Sequence, residues 1–161
     1  MQKVNIVCFG NLKEKYWRDA VAEYSKRLGA FCTFAVVELP ESRLPSEPSE
    51  KEIAAALTKE SAALEKFLGA KGAYNIALCI EGKTVSSEAL SERLTDAAAK
   101  GFGTVNLYIG SSYGLAETVK ERCQFRLSMS PMTFPHQLAR VMLCEQLYRA
   151  YSIACNGKYH K

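Results

Sequence analysis

The chain is poor in histidine, with only His136 and His160 among its 161 residues, and its six cysteines show neither CxxC spacing nor a histidine partner at ligand distance along the sequence. That scarcity argues against a zinc site and against a disulfide framework, and points to reduced, mostly buried thiols. All five prolines fall in two short stretches, 40–48 and 131–135. No hydrophobic run approaches membrane-spanning length, and the opening MQKVNIVCFG is broken by Asn5 and too short for the apolar core of a signal peptide. We therefore expect a cytoplasmic protein without membrane contact or metal, beginning in a strand. Neither GxGxxG nor GxxxxGK occurs, which removes the dinucleotide and P-loop signatures.

What is present suffices for one ordinary core. A hydrophobic content of 48% in a chain of this length indicates a single domain, residues 1–161. The formal charge of +4 is unevenly spread: residues 1–117 carry 14 basic and 15 acidic side chains, and residues 118–161 carry 7 basic and 2 acidic ones. The positive field belongs to the C-terminal quarter.

Short apolar or alternating runs at Val4–Phe9, Phe31–Leu39, Ile76–Ile80, Val105–Ile109 and Phe125–Met129 read as strands. Helical patterns lie between them at Lys13–Leu28, Glu50–Leu68, Ser86–Lys100 and Leu115–Arg122, and a last helix runs from about Pro135 to Ala154. Alternation of this kind predicts an α/β fold, a mostly parallel sheet flanked by helices, with ligands at the carboxyl ends of the strands. The proline-rich PESRLPSEPSEKE is a surface connection whose Ser49 and Glu52 form a capping box for the next helix. The last helix carries an apolar face wider than one sheet edge needs, which suits either a buried core helix or one that also forms a subunit interface.

Three strand-end stretches are candidate ligand loops. CIEGK (Cys79–Lys83) and YIGSSYGL (Tyr108–Leu115) place glycines and hydroxyls at strand-to-helix turns, either as ordinary turns or as backbone donors to an anion or ribose. In SMSPMTFPHQLAR (Ser128–Arg140), Pro131 and Pro135 fix their own φ and bias Ser130 and Phe134 away from helix, giving a stiff loop that binds a flat ligand at little ordering cost. His136, at the helix start, either packs there or orients a substrate. Arg140, one turn on, is a phosphate candidate. The tail NGKYHK offers cations for phosphates and rings for an unpaired base, unless it merely frays.

IGSSYGL, LSMSPMTFPHQLARVMLCEQLYRAYSI and NGKYHK closely resemble the ribosomal RNA large subunit methyltransferase H (RlmH, YbeA-like) family of the SPOUT superfamily, over essentially the whole chain. The resemblance implies a SPOUT methyltransferase with a C-terminal trefoil knot, acting as a homodimer. It implies transfer of methyl from S-adenosylmethionine to N3 of a pseudouridine in a large-subunit rRNA stem-loop of the ribosome. Cofactor loops then fall on Leu78, on Gly110, and on Met129, Ser130, Pro131, Met132, Thr133 and Phe134. Candidates for removing the N3 proton are His160 and Tyr159 of the tail, reaching into the partner subunit's site, with His136 behind them. Arg122, Arg126, Arg140, Lys158 and Lys161 are the expected rRNA contacts. The chain departs from the family where Ser111 follows Gly110 in place of a second glycine, and where Tyr113 occupies a usually smaller or polar position. Two alternatives stand beside this reading: a related methyltransferase acting on another RNA such as tRNA, and a non-catalytic nucleotide- or RNA-binding module.

Overall fold

Asn5, which interrupts the first apolar run, is the key to the centre of the sheet in the computed structural model, which describes all residues from Met1 to Lys161. The strands are β1 (Lys3–Phe9), β2 (Thr33–Leu39), β3 (Ala73–Thr84), β4 (Thr104–Ile109) and β5 (Phe125–Ser128). They form one five-stranded sheet in the order β2-β1-β4-β3-β5, with every pairing parallel. On its three middle strands Asn5, Asn106 and Asn75 lie in register. Asn5 Nδ2 donates to Asn106 Oδ1 at 2.8 Å, and Asn106 Nδ2 and the Tyr108 hydroxyl donate to Asn75 Oδ1 at 3.2 and 2.7 Å. A one-residue slip would bury these amides unpaired, so the row fixes register.

Parallel strands need long crossovers, and helices supply them. On one face α1 (Lys15–Leu28), α3 (Ser87–Ala99) and α5 (His136–Ala154) enclose a core of Val4, Ile6, Ile76, Leu107, Leu143 and Leu147. On the other, α2 (Glu50–Leu68) and α4 (Glu117–Glu121) cover Val7, Phe9, Ala77 and Tyr108. The predicted capping box is present: Glu52 N–H donates to Ser49 Oγ at 3.1 Å, and Ser49 N–H to Glu52 Oε1 at 3.2 Å. β3 runs on to Thr84, past the apolar stretch that the periodicity marks, because Lys83 and Thr84 pair with the end of β5 after a register shift. At that point Gly82 lies so near β5 that a Cβ would meet the Arg126 carbonyl at 2.8 Å. Glycine here serves close packing of two chain segments, where the sequence suggested only a tight turn.

α5 is chiefly a core helix, packed between α1 and α3 with Leu143, Cys144 and Leu147 fully buried. Pro135 is its N-cap, one position before the first-turn place expected of it, and its carbonyl accepts from Ala139 N–H at 2.9 Å. The helix ends through Asn156, whose φ of 56° takes the left-handed position that glycine most often fills. Gly157 is needed instead for contact, since a Cβ there would fall 2.3 Å from Ser152 Oγ.

The cysteines divide by environment. Burial raises the thiols of Cys8 and Cys32 to about 11 and of Cys123 and Cys144 to about 12, whereas Cys155 is exposed. Only the thiolate is nucleophilic. Titration of the native protein with a disulfide reagent is therefore expected to give one fast thiol, Cys155, and to require unfolding for Cys8, Cys32, Cys123 and Cys144. Rapid reaction of three or more thiols would contradict the packing.

Candidate active site

The middle of β3, where its pairing with β4 stops and its register with β5 shifts, meets the loops after β4 and β5 around a cavity of about 320 Å³. Leu78 and Cys79 come from β3, Gly110 to Leu115 from the end of β4, and Met129 to Phe134 from the end of β5, with His136 and Ala139 of α5 closing the wall. Of the eight positions expected to hold the cofactor, Leu78, Gly110, Met129, Ser130, Met132, Thr133 and Phe134 line this cavity. Pro131 does not.

Each loop has a local cause. Between β4 and α4 the chain turns back at Ser111–Gly114, where Gly114 N–H donates to the Ser111 carbonyl at 2.8 Å and Gly114 has φ of 73°. Gly110 packs directly on that turn. A Cβ at Gly110 would stand 2.2 Å from the Gly114 carbonyl carbon, so the close approach is to the chain itself. After β5, Ser130 Oγ accepts from Met132 N–H at 3.0 Å, and Ser128 Oγ donates to the Ser130 carbonyl at 3.1 Å. Two serines thus stiffen the segment together with the prolines.

The lining is mixed. Ten of its nineteen residues are hydrophobic, and three of the five large hydrophobic side chains exposed anywhere on the chain, Ile80, Tyr113 and Met132, stand at this cavity. Exposed apolar groups gathered at a concave site mark a ligand or partner surface. The charged lining side chains Glu81 and Lys120 are paired with each other, and the Lys120 ammonium holds the Glu81 carboxyl below its ordinary value. A second, polar cavity of about 430 Å³ adjoins the first through Ser111, Ser112 and His136, and is lined also by Asn11, Lys13, Glu41 and Gln137. His136 therefore stands between the two, exposed, at the head of α5.

The other candidates lie elsewhere. His160 packs against the start of α3, with Nε2 2.8 Å from Glu88 Oε1 and Nδ1 3.4 Å from the Arg149 guanidinium. The Tyr159 hydroxyl donates to Glu145 Oε1 at 3.2 Å, and the ring packs edge-on to Tyr148. Desolvation first, then the Tyr24 hydroxyl and the Glu145 carboxylate beside it, push the Tyr159 phenol up to about 12. In this position Tyr159 is a hydrogen-bond donor and not a base. None of the residues that hold the tail lines its own chain's cavity.

The basic candidates are largely committed. Arg122 makes a two-pronged pair with Glu65, and Arg126 pairs with Glu117 at 2.8 Å. The Arg140 side chain is only 4% exposed. It donates to Glu38 Oε2 at 3.0 Å and to the carbonyls of Phe9 and Gly10 at 3.4 and 3.2 Å. The Arg140 Nε is buried without a protein partner. A guanidinium so enclosed braces α5 against the ends of β1 and β2, at the wall of the polar cavity. Lys158 and Lys161 remain exposed and unpaired, so the positive field of the C-terminal quarter narrows to the tail.

Sequence reasoning missed Glu60 at this site, and it named the stretches holding Glu81 and Ser111 without giving either side chain its partner. Glu60 carried a signal: it sits on the buried stripe of α2 with Leu64 and Leu68, where a charge demands partners.

Comparison with known proteins agrees with this arrangement. The family profile described as "Predicted SPOUT methyltransferase" matches residues 2–160. The chain is 40% identical over 159 residues to the ribosomal RNA large subunit methyltransferase H of Streptococcus pyogenes serotype M5 (strain Manfredo), covering 99% of each chain, and the serotype M49 (strain NZ131) protein matches equally. Among solved structures, a probable methylase family protein of Haemophilus influenzae Rd KW20 aligns with a TM-score of 0.57 at 14% identity, over 99% of this chain and 71% of that one. A Legionella pneumophila protein described as a methyltransferase, in complex with the bound cofactor SAM, aligns with a TM-score of 0.52 at 17% identity, over 92% and 66%. The distant structures speak for the fold alone, and the near relatives for kinship along the whole length. The chain belongs to the SPOUT methyltransferase family, within its ribosomal RNA large subunit methyltransferase H group.

Proposed function

We propose that the protein is a cytoplasmic homodimer that methylates N3 of a pseudouridine in a large-subunit rRNA stem-loop, in the assembled ribosome, with S-adenosylmethionine as methyl donor. The observation that carries this reading is the convergence of seven expected cofactor positions on one cavity at the strand ends. The residues there fit such a molecule: Leu78, Met129 and Phe134 offer apolar walls for an adenine, and the turns after β4 and β5 offer backbone groups for its edge. Bound there, S-adenosylmethionine supplies a methyl group on a sulfonium, a leaving group that needs no acid. The close relatives' name, ribosomal RNA large subunit methyltransferase H, supports rRNA as substrate.

The chain's own contribution is to position and to take up a proton. Holding two reactants in line is equivalent to an effective concentration of roughly 10⁵–10⁸ M, against roughly 10²–10⁴-fold for a general base. Positioning is the larger effect, which suits a stiff, proline-set loop. The N3 proton still has to leave. His136 is on the wall shared with the adjoining polar cavity and can receive it directly or through water. His160 and Tyr159, held against Glu88 and Glu145, serve only if the tail acts in the partner's site. Lys158 and Lys161 are the tail's phosphate contacts, and Arg122 and Arg126, both at least part-exposed, join them where RNA displaces their carboxylates. Exposed Ile80, Tyr113 and Met132 support a partner subunit over the cavity mouth. The tight crossing of β3 at Gly82 with β5 supports threading of the C-terminal segment as a trefoil knot.

The test is transfer of labelled methyl from S-adenosylmethionine to assembled ribosomes lacking the modification, to free large-subunit rRNA and to tRNA. Label in ribosomes alone is expected; label in tRNA alone would move the enzyme to another RNA, and cofactor binding with no transfer to any RNA would favour a non-catalytic module. In mixed dimers, a subunit lacking residues 158–161 paired with one carrying a closed cavity should fall to no activity or keep about half, according to which subunit's tail completes the working site. Full activity in a dimer lacking residues 158–161 in both subunits would exclude the tail.

A further inference from the structure

Glu60 is a carboxylate with 4% exposure in the middle of α2, and its two oxygens hold two different loops. Oε1 accepts from the Ser111 hydroxyl at 2.6 Å, and Oε2 from the backbone N–H of Ser42 at 3.1 Å. Ser111 opens the turn after β4 and lines both cavities. Ser42 belongs to the connection after β2, whose neighbour Glu41 lines the polar cavity. In the sheet β2 and β4 are separated by β1, so their ends stand two strand spacings apart, roughly 10 Å. One buried carboxylate therefore spans the end of β1 and sets the distance between the loops on either side. A charge is retained at a buried position only where its lone pairs are used, and here they are used on the cavity wall.

We infer that Glu60 is a positioning residue of the methyl-donor cavity: through Ser111 and Ser42 it holds the Gly110–Gly114 turn in its binding shape and so sets cofactor affinity. The inference rests on the reading of that cavity as the S-adenosylmethionine site. It also accounts for Ser111, where the family resemblance leads one to expect glycine. The Ser111 hydroxyl donates to Glu60 and so is committed within the protein.

The test is titration calorimetry of the full chain with S-adenosylhomocysteine, for wild type, Glu60→Ala, Glu60→Gln, Ser111→Ala and the double Glu60→Ala/Ser111→Ala. Loss of the bond should raise Kd roughly tenfold in Glu60→Ala, with Ser111→Ala moving the same way. The double variant should be no weaker than Glu60→Ala, because both act through one contact. Glu60→Gln should stay within about threefold of wild type, since its carbonyl can accept from Ser42 while its amide donates to a rotated Ser111 hydroxyl. In methyl transfer, KM for S-adenosylmethionine should rise with kcat nearly unchanged. Wild-type affinity in Glu60→Ala, or equal loss in Glu60→Gln and Glu60→Ala, overturns the inference. If Glu60→Ala does not fold, Ser111→Ala decides alone, and unchanged Kd there overturns it. A wild-type chain that binds neither compound overturns the cofactor reading and the inference together, which the wild-type titration shows by itself.

Discussion

A Gly110→Ala protein is expected to bind S-adenosylhomocysteine at least about 100-fold more weakly than wild type, and to be less stable by about 1–3 kcal/mol, the usual cost of overpacking. The added methyl would stand 2.2 Å from the carbonyl carbon, 2.5 Å from the carbonyl oxygen and 2.7 Å from the Cα of Gly114. These are backbone atoms, so no rotamer change relieves the clash. The whole Ser111–Gly114 turn must move, and that turn is one wall of the cavity. Gly103→Ala is the control, because nothing lies within 4 Å of a Cβ there and the residue does not need a positive φ. Calorimetry and thermal unfolding of the two variants check the claim. Near-normal binding by Gly110→Ala would show that the turn does not shape the site.

Arg140→Ala is expected to lose about 3 kcal/mol of stability, read from urea unfolding. Removing the guanidinium leaves the Phe9 and Gly10 carbonyls and the Glu38 carboxylate without their partner at the point where α5 meets β1 and β2. Glu38 is 42% exposed and can recover some hydration, which places the loss at the lower end for a broken buried pair. Arg140→Lys should recover only part of the loss, since one compact ammonium cannot reach both the Glu38 carboxylate and the Phe9 and Gly10 carbonyls that separate guanidinium nitrogens now serve. The same pair of variants separates the structural role from the RNA role first expected of Arg140. Salt dependence of RNA binding should be unchanged by Arg140→Ala, whereas Lys158→Ala and Lys161→Ala should each lower the salt slope by about 1. A stable Arg140→Ala protein with a reduced slope would restore it as a phosphate contact.

The architecture was legible because β1, β2 and β4 are apolar runs punctuated by charged or glycine turns, and the helices between them carry caps or periodicity that physics translates directly. α2 was placed at its observed ends by its capping box. The second half of β3 was not legible, since EGKT is polar and pairs only because β5 lies beside it after a register shift. The cavity loops were legible from the resemblance, while their causes were not. That Gly110 meets Gly114, or that Gly82 meets Arg126, depends on contacts between segments that no local pattern encodes. The partners of the charges were hidden for the same reason: Arg122, Arg126 and Arg140 each meet a carboxylate from an earlier part of the chain.

The central claim is most directly tested by mapping the product nucleotide. Purified protein and S-adenosylmethionine would be added to ribosomes lacking the modification, and the large-subunit rRNA digested and read by mass spectrometry. The account predicts one new methyl, on N3 of a pseudouridine in the stem-loop. A methyl on another nucleotide or another atom, or none on ribosomes from a protein that binds S-adenosylhomocysteine, would contradict it.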